Sequence, residues 1–211
     1  MKHQNILFCF CGPAGAGKSS ICRQLLERSV GLCLSVSTTT RSPRDGEVDG
    51  DHYYFISEQE FDSRLSRGEF LEHASYGRYR YGTQQKHLQA SLDGGSDVLL
   101  DIEVQGVQQL KEAFGNRVVT IFVFPPSLTE LRQRLTQRGT ESESEIFTRL
   151  AIAEIEFQKL RAPTFSDYIL INDNLERSIT TAIAVVTAER SRLSRFGCGD
   201  IDALLSYTHR E

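Results

Sequence analysis

Several features that mark other protein classes are missing from this chain of 211 residues. The longest apolar runs, Ile6 to Cys11 and Ile121 to Pro126, are far shorter than the roughly 20 residues that a membrane-spanning helix needs. The first residues lack the cationic start, apolar middle and small-residue cleavage site of a secretion signal. We therefore expect a cytoplasmic protein without a membrane partner.

Paired cysteine spacings and an excess of positive charge are also missing. The five cysteines form an odd set without CxxC spacing, which argues against a disulfide framework or a zinc site. Cys9 and Cys11 are interpreted as buried strand residues, since a metal site at this pair would lack further nearby ligands. The formal charge of −4 argues against broad nucleic-acid binding, which needs a basic face. Any affinity for anions must therefore be local.

What the chain does contain is a glycine-rich match to GxxxxGK[ST], directly after the first apolar run. Glycines let several backbone N–H groups point at a phosphate, Lys18 can reach the β and γ oxygens, and Ser19 can offer a hydroxyl to Mg²⁺. The segment Ser20 to Arg28 is predicted to be a helix whose positive end faces the same phosphates. The alternative is an ordinary glycine-rich turn. The predicted ATP-binding residues are Gly12, Pro13, Ala14, Gly15, Ala16, Gly17, Lys18, Ser19 and Ser20.

Short apolar runs alternate with helical patterns along most of the chain, which predicts a doubly wound α/β fold with a parallel sheet. Polar residues stand at the carboxyl ends of four of these runs, where ligands bind in open α/β sheets: Gly12, Ser37, Asp101 and Asn172. The predicted strands are Ile6 to Cys11, Leu32 to Val36, Val98 to Ile102, Val118 to Phe124 and Tyr168 to Asn172. The predicted helices are Ser20 to Arg28, Val104 to Phe114, Ser127 to Gln137 with a capping box at its start, a stretch around Glu145 to Leu160, and Leu175 to Arg195.

Two segments depart from this alternation. Residues 38–94 contain a short strand at His52 to Ile56, a helix after Ser57 and strands at Glu69 to Tyr76 and Tyr79 to Tyr81, which predicts a small antiparallel α+β insertion. Residues 138–149 are rich in Thr, Ser and Glu, which is typical of a mobile lid. The core is thereby assigned to residues 1–37, 95–137 and 150–211.

A phosphate-binding loop alone does not choose between a GTPase, an ATPase motor and a small-molecule kinase. A GTPase would read its base with an Asn-Lys-x-Asp segment, and none occurs in this chain. Asp101 ends the run Val98 to Leu100, a position from which a carboxylate can hold Mg²⁺ or its waters. The alternative role for Asp101 is to cap the following helix.

A series of motifs closely resembles guanylate kinases in sequence and in order. The segment from Ser35 to Tyr53 carries SVSTTTRSPRDGEVDGDHY, and the similarity covers about Ile6 to Arg190. The resemblance implies the P-loop nucleoside monophosphate kinase fold, with a five-stranded parallel sheet flanked by helices, a GMP-binding α+β insertion and a lid. It also implies an enzyme of purine nucleotide metabolism that transfers the γ-phosphoryl group of MgATP to GMP, and to dGMP, giving ADP and GDP. The other matching motifs are GEFLE at 68–72, YGT at 81–83, LDIEVQG at 100–106, PPS at 125–127, RGT at 138–140 and IND at 171–173.

The resemblance implies an acceptor site that reads guanine and grips its phosphate. Guanine presents donors at N1 and the 2-amino group, so a carboxylate, Glu72, beside the hydroxyls of Ser37 and Thr83 suits it. Without the resemblance, Glu72 would be interpreted as a surface residue, and the arginines as an exposed loop. The implied phosphate clamp pairs two guanidinium forks with two phenols. The GMP-binding residues are Ser37, Arg41, Arg44, Tyr53, Glu72, Tyr81, Thr83 and Glu103.

The resemblance also implies which residues serve the donor. Arg138 and Arg149 match positions from which the lid reaches the donor phosphates, with Arg134 as a third possibility and solvated helix-face arginines as the alternative. Asn172 and Asp173 match the loop near the adenine, or else cap the last helix. The implied ATP-binding set is therefore the phosphate loop with Arg138 and Asn172. The implied catalytic residues are Lys18, Arg41, Asp101, Arg138 and Arg149, with Ser19 and Asp101 at the metal.

The chain departs from the family pattern at three positions. Ala14 replaces a frequent Ser, Glu103 replaces a usual Asp, and Asn174 replaces an acidic residue. None of these changes removes a reactive group. Two rival functions stay open at this point: a nucleoside monophosphate kinase with another acceptor, and a noncatalytic domain of the same fold that binds phosphorylated peptides. The oligomeric state is not predicted.

Overall fold

The computed structural model describes residues 4–162 and 165–207. The predicted core therefore includes residues 1–3, 163–164 and 208–211, which lie outside the described part. In chain order the elements are β1 (Leu7–Cys11), α1 (Lys18–Arg28), β2 (Leu32–Leu34), β3 (Thr38–Thr39), β4 (Tyr54–Phe55), α2 (Glu58–Ser66), β5 (Phe70–Tyr76), β6 (Tyr79–Gln84), α3 (Gln85–Asp93), β7 (Asp97–Asp101), α4 (Val104–Phe114), β8 (Val118–Phe124), α5 (Leu128–Arg138), α6 (Glu143–Lys159), β9 (Tyr168–Ile171), α7 (Leu175–Arg190) and α8 (Cys198–Tyr207), with 3-10 turns at Gly115–Arg117 and Leu193–Arg195.

The central sheet consists of five parallel strands in the order β2-β7-β1-β8-β9. Strand β1 lies at its centre and is buried along its whole length, because its side chains meet helices on both faces. Phe8 and Phe10 pack in the cluster that includes residues of α1 and α7, whereas Leu7 and Cys9 pack in the cluster that includes residues of α3 and α4. The predicted strands and the parallel sheet are confirmed.

The register of the central sheet brings the predicted catalytic groups together. Phe10 pairs with Asp101 across β1 and β7, so the loop after β1 begins beside the last residue of β7. Because parallel strands end at the same edge, the phosphate loop and Asp101 share the carboxyl edge of the sheet.

A second sheet lies in the insertion at residues 38–94, with the strand order β4-β3-β6-β5. The prediction of an antiparallel insertion is only partly right, because β3 and β4 pair in parallel. The sequence did not predict β3, since two residues carry no readable periodicity. Both threonines of β3 are fully buried, and Gln84 Nε2 donates to Thr38 Oγ1 at 2.7 Å. This sheet presents Glu72, Tyr81 and Thr83 from its two longest strands.

The segment predicted as a lid connects α5 with α6. Helix α5 ends at Arg138 and is capped by Gly139, which adopts a left-handed conformation with φ of 68°. Ser142 caps α6 in a reciprocal capping box with Glu145. Helix α6 therefore begins at Glu143, inside the segment 138–149 that was predicted as the lid. Only one of the two hydrogen bonds of the capping box predicted at Ser127 forms. The Ser127 hydroxyl accepts from the Glu130 N–H at 3.0 Å, but the Glu130 carboxylate pairs with Arg134 on the same helix.

The last predicted helix is shorter than expected. It ends at Arg190, and Arg195 lies in a 3-10 turn instead. Arg195 is buried, and its Nη2 donates to Glu189 at 2.6 Å, which ties the turn back to α7. Within the described ranges, the structure holds no helix of the length and hydrophobicity that crossing a membrane requires.

Candidate active site

The phosphate loop joins β1 to α1, and glycine is required at its last turn. Gly17 caps α1 with φ of 98°, a region that residues with a Cβ seldom adopt. A Cβ there would also stand 2.2 Å from Nδ2 of Asn172. That amide donates to Ala16 O at 2.7 Å, and its Oδ1 accepts from Ser178 at 2.9 Å. Asn172 thus braces the loop backbone, and Asn174 is the residue that caps α7.

Lys18 is held by the loop that it follows. Its Nζ donates to Gly12 O at 2.5 Å and lies 3.9 Å from Asp101 Oδ1. Burial alone would lower the pKa of Lys18, but Asp101, Glu103 and Glu156 outweigh it and raise this pKa above its ordinary value. Lys18 is therefore a permanent positive charge at the base of the loop.

Ser19 and Asp101 form a contiguous pair of oxygen ligands beside the loop. Ser19 Oγ donates to Asp101 Oδ2 at 2.5 Å. Asp101 does not cap the next helix, because the N-cap of α4 is Glu103. Mg²⁺ prefers oxygen ligands and is commonly held through one or two protein groups together with phosphates and water. A hydroxyl and a carboxylate at this edge fit that requirement. Among the described residues no group of three or more His, Cys, Asp or Glu could enclose a metal without such help.

The predicted guanine site centres on Glu72. Its side chain is buried with 3% exposure, and Thr83 Oγ1 donates to Glu72 Oε1 at 2.6 Å. Burial raises the pKa of Glu72 from 4.5 to about 7, against the Thr83 hydrogen bond and with help from the charge of Glu103. A Cβ on Gly106 would lie 2.0 Å from Glu72 Oε2. Only glycine at this point of α4 leaves room for the carboxylate.

Glu103 offers a second carboxylate beside the first. Its Oε2 is buried without a hydrogen-bond partner in the described part of the chain. Burial raises the pKa of Glu103; Lys18 opposes this shift and Asp101 adds to it. A buried acceptor without a donor is unfavourable unless something supplies one. Glu103 and Ser37 line the same cavity as Glu72, so both can be reached by a ligand there.

Arg41, Tyr53 and Tyr81 of the predicted phosphate clamp lie close together; Arg41 is buried and the two tyrosines are half-buried. Arg41 is 6% exposed, which rules out the alternative of an exposed surface loop for this residue. Its Nη2 lies 2.8 Å from Glu47 Oε1, and its Cζ is 5.4 Å from the centroid of the Tyr53 ring. The rings of Tyr53 and Tyr81 are 6.0 Å apart, and burial raises the pKa of both phenols, which keeps their hydroxyls protonated as donors.

The lid arginines Arg138 and Arg149 line the same cavity as the clamp residues. Arg149 Cζ lies 5.2 Å from the ring centroid of Tyr76, and its Nη2 is 3.4 Å from Glu141 Oε1. Arg134, the third arginine, does not line the cavity, and its Nη2 donates to Asn172 O at 2.9 Å. Arg134 therefore bonds the backbone of Asn172, whose side chain in turn donates to the phosphate loop.

One cavity of about 1050 Å³ joins these groups. This volume lies at the upper end of the roughly 300–1,000 Å³ of typical small-molecule sites. Five of the predicted residues do not line it: Gly12, Pro13, Ala16, Thr83 and Asn172. The predicted residues that line it are Ala14, Gly15, Gly17, Lys18, Ser19, Ser20, Ser37, Arg41, Arg44, Tyr53, Glu72, Tyr81, Asp101, Glu103, Arg138 and Arg149.

Three carboxylates that interact with predicted site residues were not themselves predicted. Glu47 accepts from Arg41 and from the backbone N–H of Arg44, and it lies within the motif from Ser35 to Tyr53. Its position in that motif was the available signal. Glu141 and Glu156 stand in polar or amphipathic stretches where nothing in the sequence separates a buried carboxylate from an exposed one.

The comparisons with known proteins agree with this geometry. A family model described as guanylate kinase matches residues 4–189. The chain belongs to the guanylate kinase family. The known reaction of guanylate kinases is the transfer of a phosphoryl group from ATP to GMP, so the chain is an enzyme of the phosphotransferase class.

Individual relatives match over nearly the whole chain. A guanylate kinase of Caldanaerobacter subterraneus subsp. tengcongensis is 42% identical over 92% of this chain and 93% of that protein. A guanylate kinase of Thermotoga maritima is 43% identical over 92% and 91%. The crystal structure of guanylate kinase from Anaplasma phagocytophilum superposes with a TM-score of 0.78 at 31% identity and covers 95% of this chain and 94% of that one. The guanylate kinase fold predicted from the sequence is confirmed.

Proposed function

We propose that this chain holds MgATP on its phosphate loop and GMP in its insertion, and that it transfers the γ-phosphoryl group between them to give ADP and GDP. dGMP is proposed as a second acceptor. The observation that carries the proposal is the buried carboxylate of Glu72, which is held by Thr83 and lines the same cavity as Lys18. A carboxylate held there is matched to the two donors on the guanine ring.

Guanine is selected because another base would leave the Glu72 carboxylate without its hydrogen bonds. The ionised Glu72 accepts from guanine N1–H and the 2-amino group, while Ser37 and Glu103 are close enough to the cavity to complete the set. Adenine presents an acceptor at N1, which would leave the buried carboxylate unpaired. Discrimination by a buried polar group of this kind reaches roughly 10⁴ to 10⁵.

The acceptor phosphate is gripped by Arg41 and Arg44 together with the phenols of Tyr53 and Tyr81. An arginine fork can bond two phosphate oxygens at once, so two forks suit a dianionic group. This phosphate is already anionic near neutral pH, so no general base is required. Catalysis then consists of holding the two nucleotides in line and balancing the charge that develops between them.

The donor side uses backbone and cationic groups. The loop N–H groups and Lys18 bind the β and γ phosphates, and Arg138 and Arg149 approach them from the lid. Ser19 and Asp101 are proposed to hold Mg²⁺, which supplies charge neutralisation on the donor phosphates when bound. Closure of the lid excludes water and so limits wasteful hydrolysis of ATP.

The chain is proposed to work through three functional regions and to act in the cytoplasm. Residues 138–149 act as the lid and residues 38–94 as the GMP-binding insertion. The core at 1–37, 95–137 and 150–211 carries ATP. The proposed setting is the cytoplasm, with nucleotides as partners and with no nucleic acid or membrane bound.

A panel of acceptors tests the proposal. The protein is incubated with MgATP and, separately, GMP, dGMP, AMP, UMP or CMP, and ADP release is followed in a coupled assay. Fast turnover is expected with GMP and measurable turnover with dGMP. Equal rates with AMP would contradict the assigned base site. A noncatalytic phosphopeptide-binding domain would instead show no turnover with any acceptor and little affinity for an ATP analogue.

A further inference from the structure

Glu141 contacts both the insertion and the lid through two arginines that line the cavity. It lies between α5 and α6 in the lid, and its side chain is only 3% exposed. Its Oε1 accepts from Arg44 Nη2 at 2.7 Å and lies 3.4 Å from Arg149 Nη2. Arg44 belongs to the insertion, whereas Arg149 belongs to the lid. One carboxylate oxygen therefore contacts an arginine on the acceptor side and an arginine on the donor side.

The local structure holds this carboxylate in place. Its second oxygen, Oε2, accepts from Thr140 Oγ1 at 2.8 Å. The next residue, Ser142, is fixed by the capping box with Glu145, whose Oε2 accepts from the Ser142 N–H at 2.9 Å. A side chain that is buried, bonded through both oxygens and attached to a capped helix is a built contact rather than a mobile surface pair.

The surrounding charges explain why a carboxylate is needed at this point. Burial lowers the pKa of Arg44, Arg41 and Arg138 lower it further, and Glu141 raises it. These shifts mark a cluster of arginines that repel one another. A negative charge in their midst reduces the repulsion between the insertion and the lid. Without it, bringing Arg149 toward Arg44 would meet unbalanced like charge.

We infer that Glu141 is a positioning residue that couples the two nucleotide sites, because its carboxylate holds Arg44 and Arg149 in one arrangement that both phosphate groups require. The inference rests on the proposed function, since it takes Arg44 as an acceptor ligand and Arg149 as a donor ligand. Occupation of one site stabilises this arrangement and so raises affinity at the other. By linkage the effect is the same in both directions.

The coupling is measured by titrating GMP calorimetrically into the protein alone and into the protein saturated with Mg²⁺ and a nonhydrolysable ATP analogue. The ratio of the two dissociation constants is expected to be about 5 or more in the wild type, within the usual range of coupling. In Glu141→Gln the ratio should fall below about 2, because the neutral amide no longer balances the arginines. Binding of GMP alone should stay within about 3-fold of the wild type, since Glu72 and Arg44 are themselves unchanged and only the link from Arg44 to Arg149 is lost.

Glu143→Gln is the matched control. It makes the same change of charge two residues further along the lid, where the side chain is 81% exposed and lies 3.3 Å from Arg132 Nη2. The control should retain the wild-type ratio. A Glu141→Gln variant that couples like this control overturns the inference, and so does a wild-type ratio of one. Loss of GMP affinity without the donor also overturns it, since Glu141 would then act on the acceptor site alone.

A second variant covers the case in which Glu141→Gln does not melt cooperatively. Glu141→Asp keeps the charge but shortens the reach by one methylene, so it should lose most of the coupling. A ratio of dissociation constants in Glu141→Asp equal to that of the wild type would overturn the inference that Glu141 couples the two sites. Failure of the proposed function is a separate result: the wild type would then form no GDP from ATP and GMP. Failure of this inference leaves GDP formation intact.

Discussion

Replacement of Glu72 by glutamine tests whether the guanine site is built at the expense of stability. The carboxyl is 3% exposed, and burial raises its pKa from 4.5 to about 7. One pKa unit corresponds to about 1.36 kcal/mol. The ionised form therefore destabilises the folded chain by up to about 3 kcal/mol relative to the unfolded one. Glutamine has nearly the same shape and can still accept the hydrogen bond of Thr83, but it carries no charge.

The pH dependence fixes the sign of the effect. Because the folded pKa of Glu72 lies above its unfolded value, the group favours folding below about pH 4.5, and this contribution is lost as the pH rises through about 7. Glu72→Gln should therefore resemble the wild type in stability near pH 4.5 and exceed it by up to about 3 kcal/mol at pH 8. Urea unfolding at both pH values, without nucleotides, measures the two differences.

The same substitution should damage selection of the acceptor. We expect kcat/KM for GMP to fall by roughly 10² or more, while the dissociation constant of an ATP analogue changes little, because a lost charged hydrogen-bond partner acts on the guanine alone. The preference for GMP over AMP should shrink accordingly. The reasoning is refuted if Glu72→Gln is less stable than the wild type at pH 8, if the stability difference does not vary with pH, or if the preference is unchanged.

Three further substitutions test other parts of the site. Lys18→Ala should reduce kcat by roughly 10² to 10³, because the positive charge that stabilises the transferred phosphoryl group is lost. Steady-state assays at saturating MgATP and GMP measure this, and a decrease of less than tenfold would contradict the proposed role of Lys18. Gly106→Ala should raise KM for GMP, since its Cβ would meet Glu72 Oε2 at 2.0 Å, and an unaltered KM would mean that the carboxylate has room to move. Glu156→Gln should stabilise the protein at pH 8 but not near pH 4.5, because burial raises the pKa of Glu156 to about 7; urea unfolding at the two pH values tests this. The value of kcat/KM for GMP should change little in this variant, since Glu156 does not line the cavity, and a GMP assay tests that.

Much of the architecture could be predicted because its signals are local. Strands β1, β7 and β8 are buried on both faces, so they appear as short continuous apolar runs. The phosphate loop has a strict spacing, and it fixes the position of the active-site edge. The short strand β3 left no comparable trace, because two residues cannot display a period and its burial depends on partners in β4 and β6.

The part of the site that escaped prediction depends on contacts between distant segments. Asn172 was expected near the base of ATP, and nothing in the sequence showed that its amide would donate to Ala16 O, far away in sequence. Glu141 looked like one more acidic residue of a polar lid. Only the tertiary fold brings it against Arg44, 97 residues away, and buries the Glu141 side chain. Residue types and spacing do not record such pairings.

The central claim is that two nucleotides meet in one cavity, the acceptor chosen by Glu72 and the donor held by the phosphate loop. A crystal structure with GMP, Mg²⁺ and a nonhydrolysable ATP analogue tests it most directly. The account predicts guanine N1 within hydrogen-bond distance of the Glu72 carboxylate, about 2.7–3.2 Å, and the triphosphate of the analogue against the backbone from Gly12 to Ser19. Guanine bound away from Glu72, or the triphosphate bound away from that loop, would contradict it.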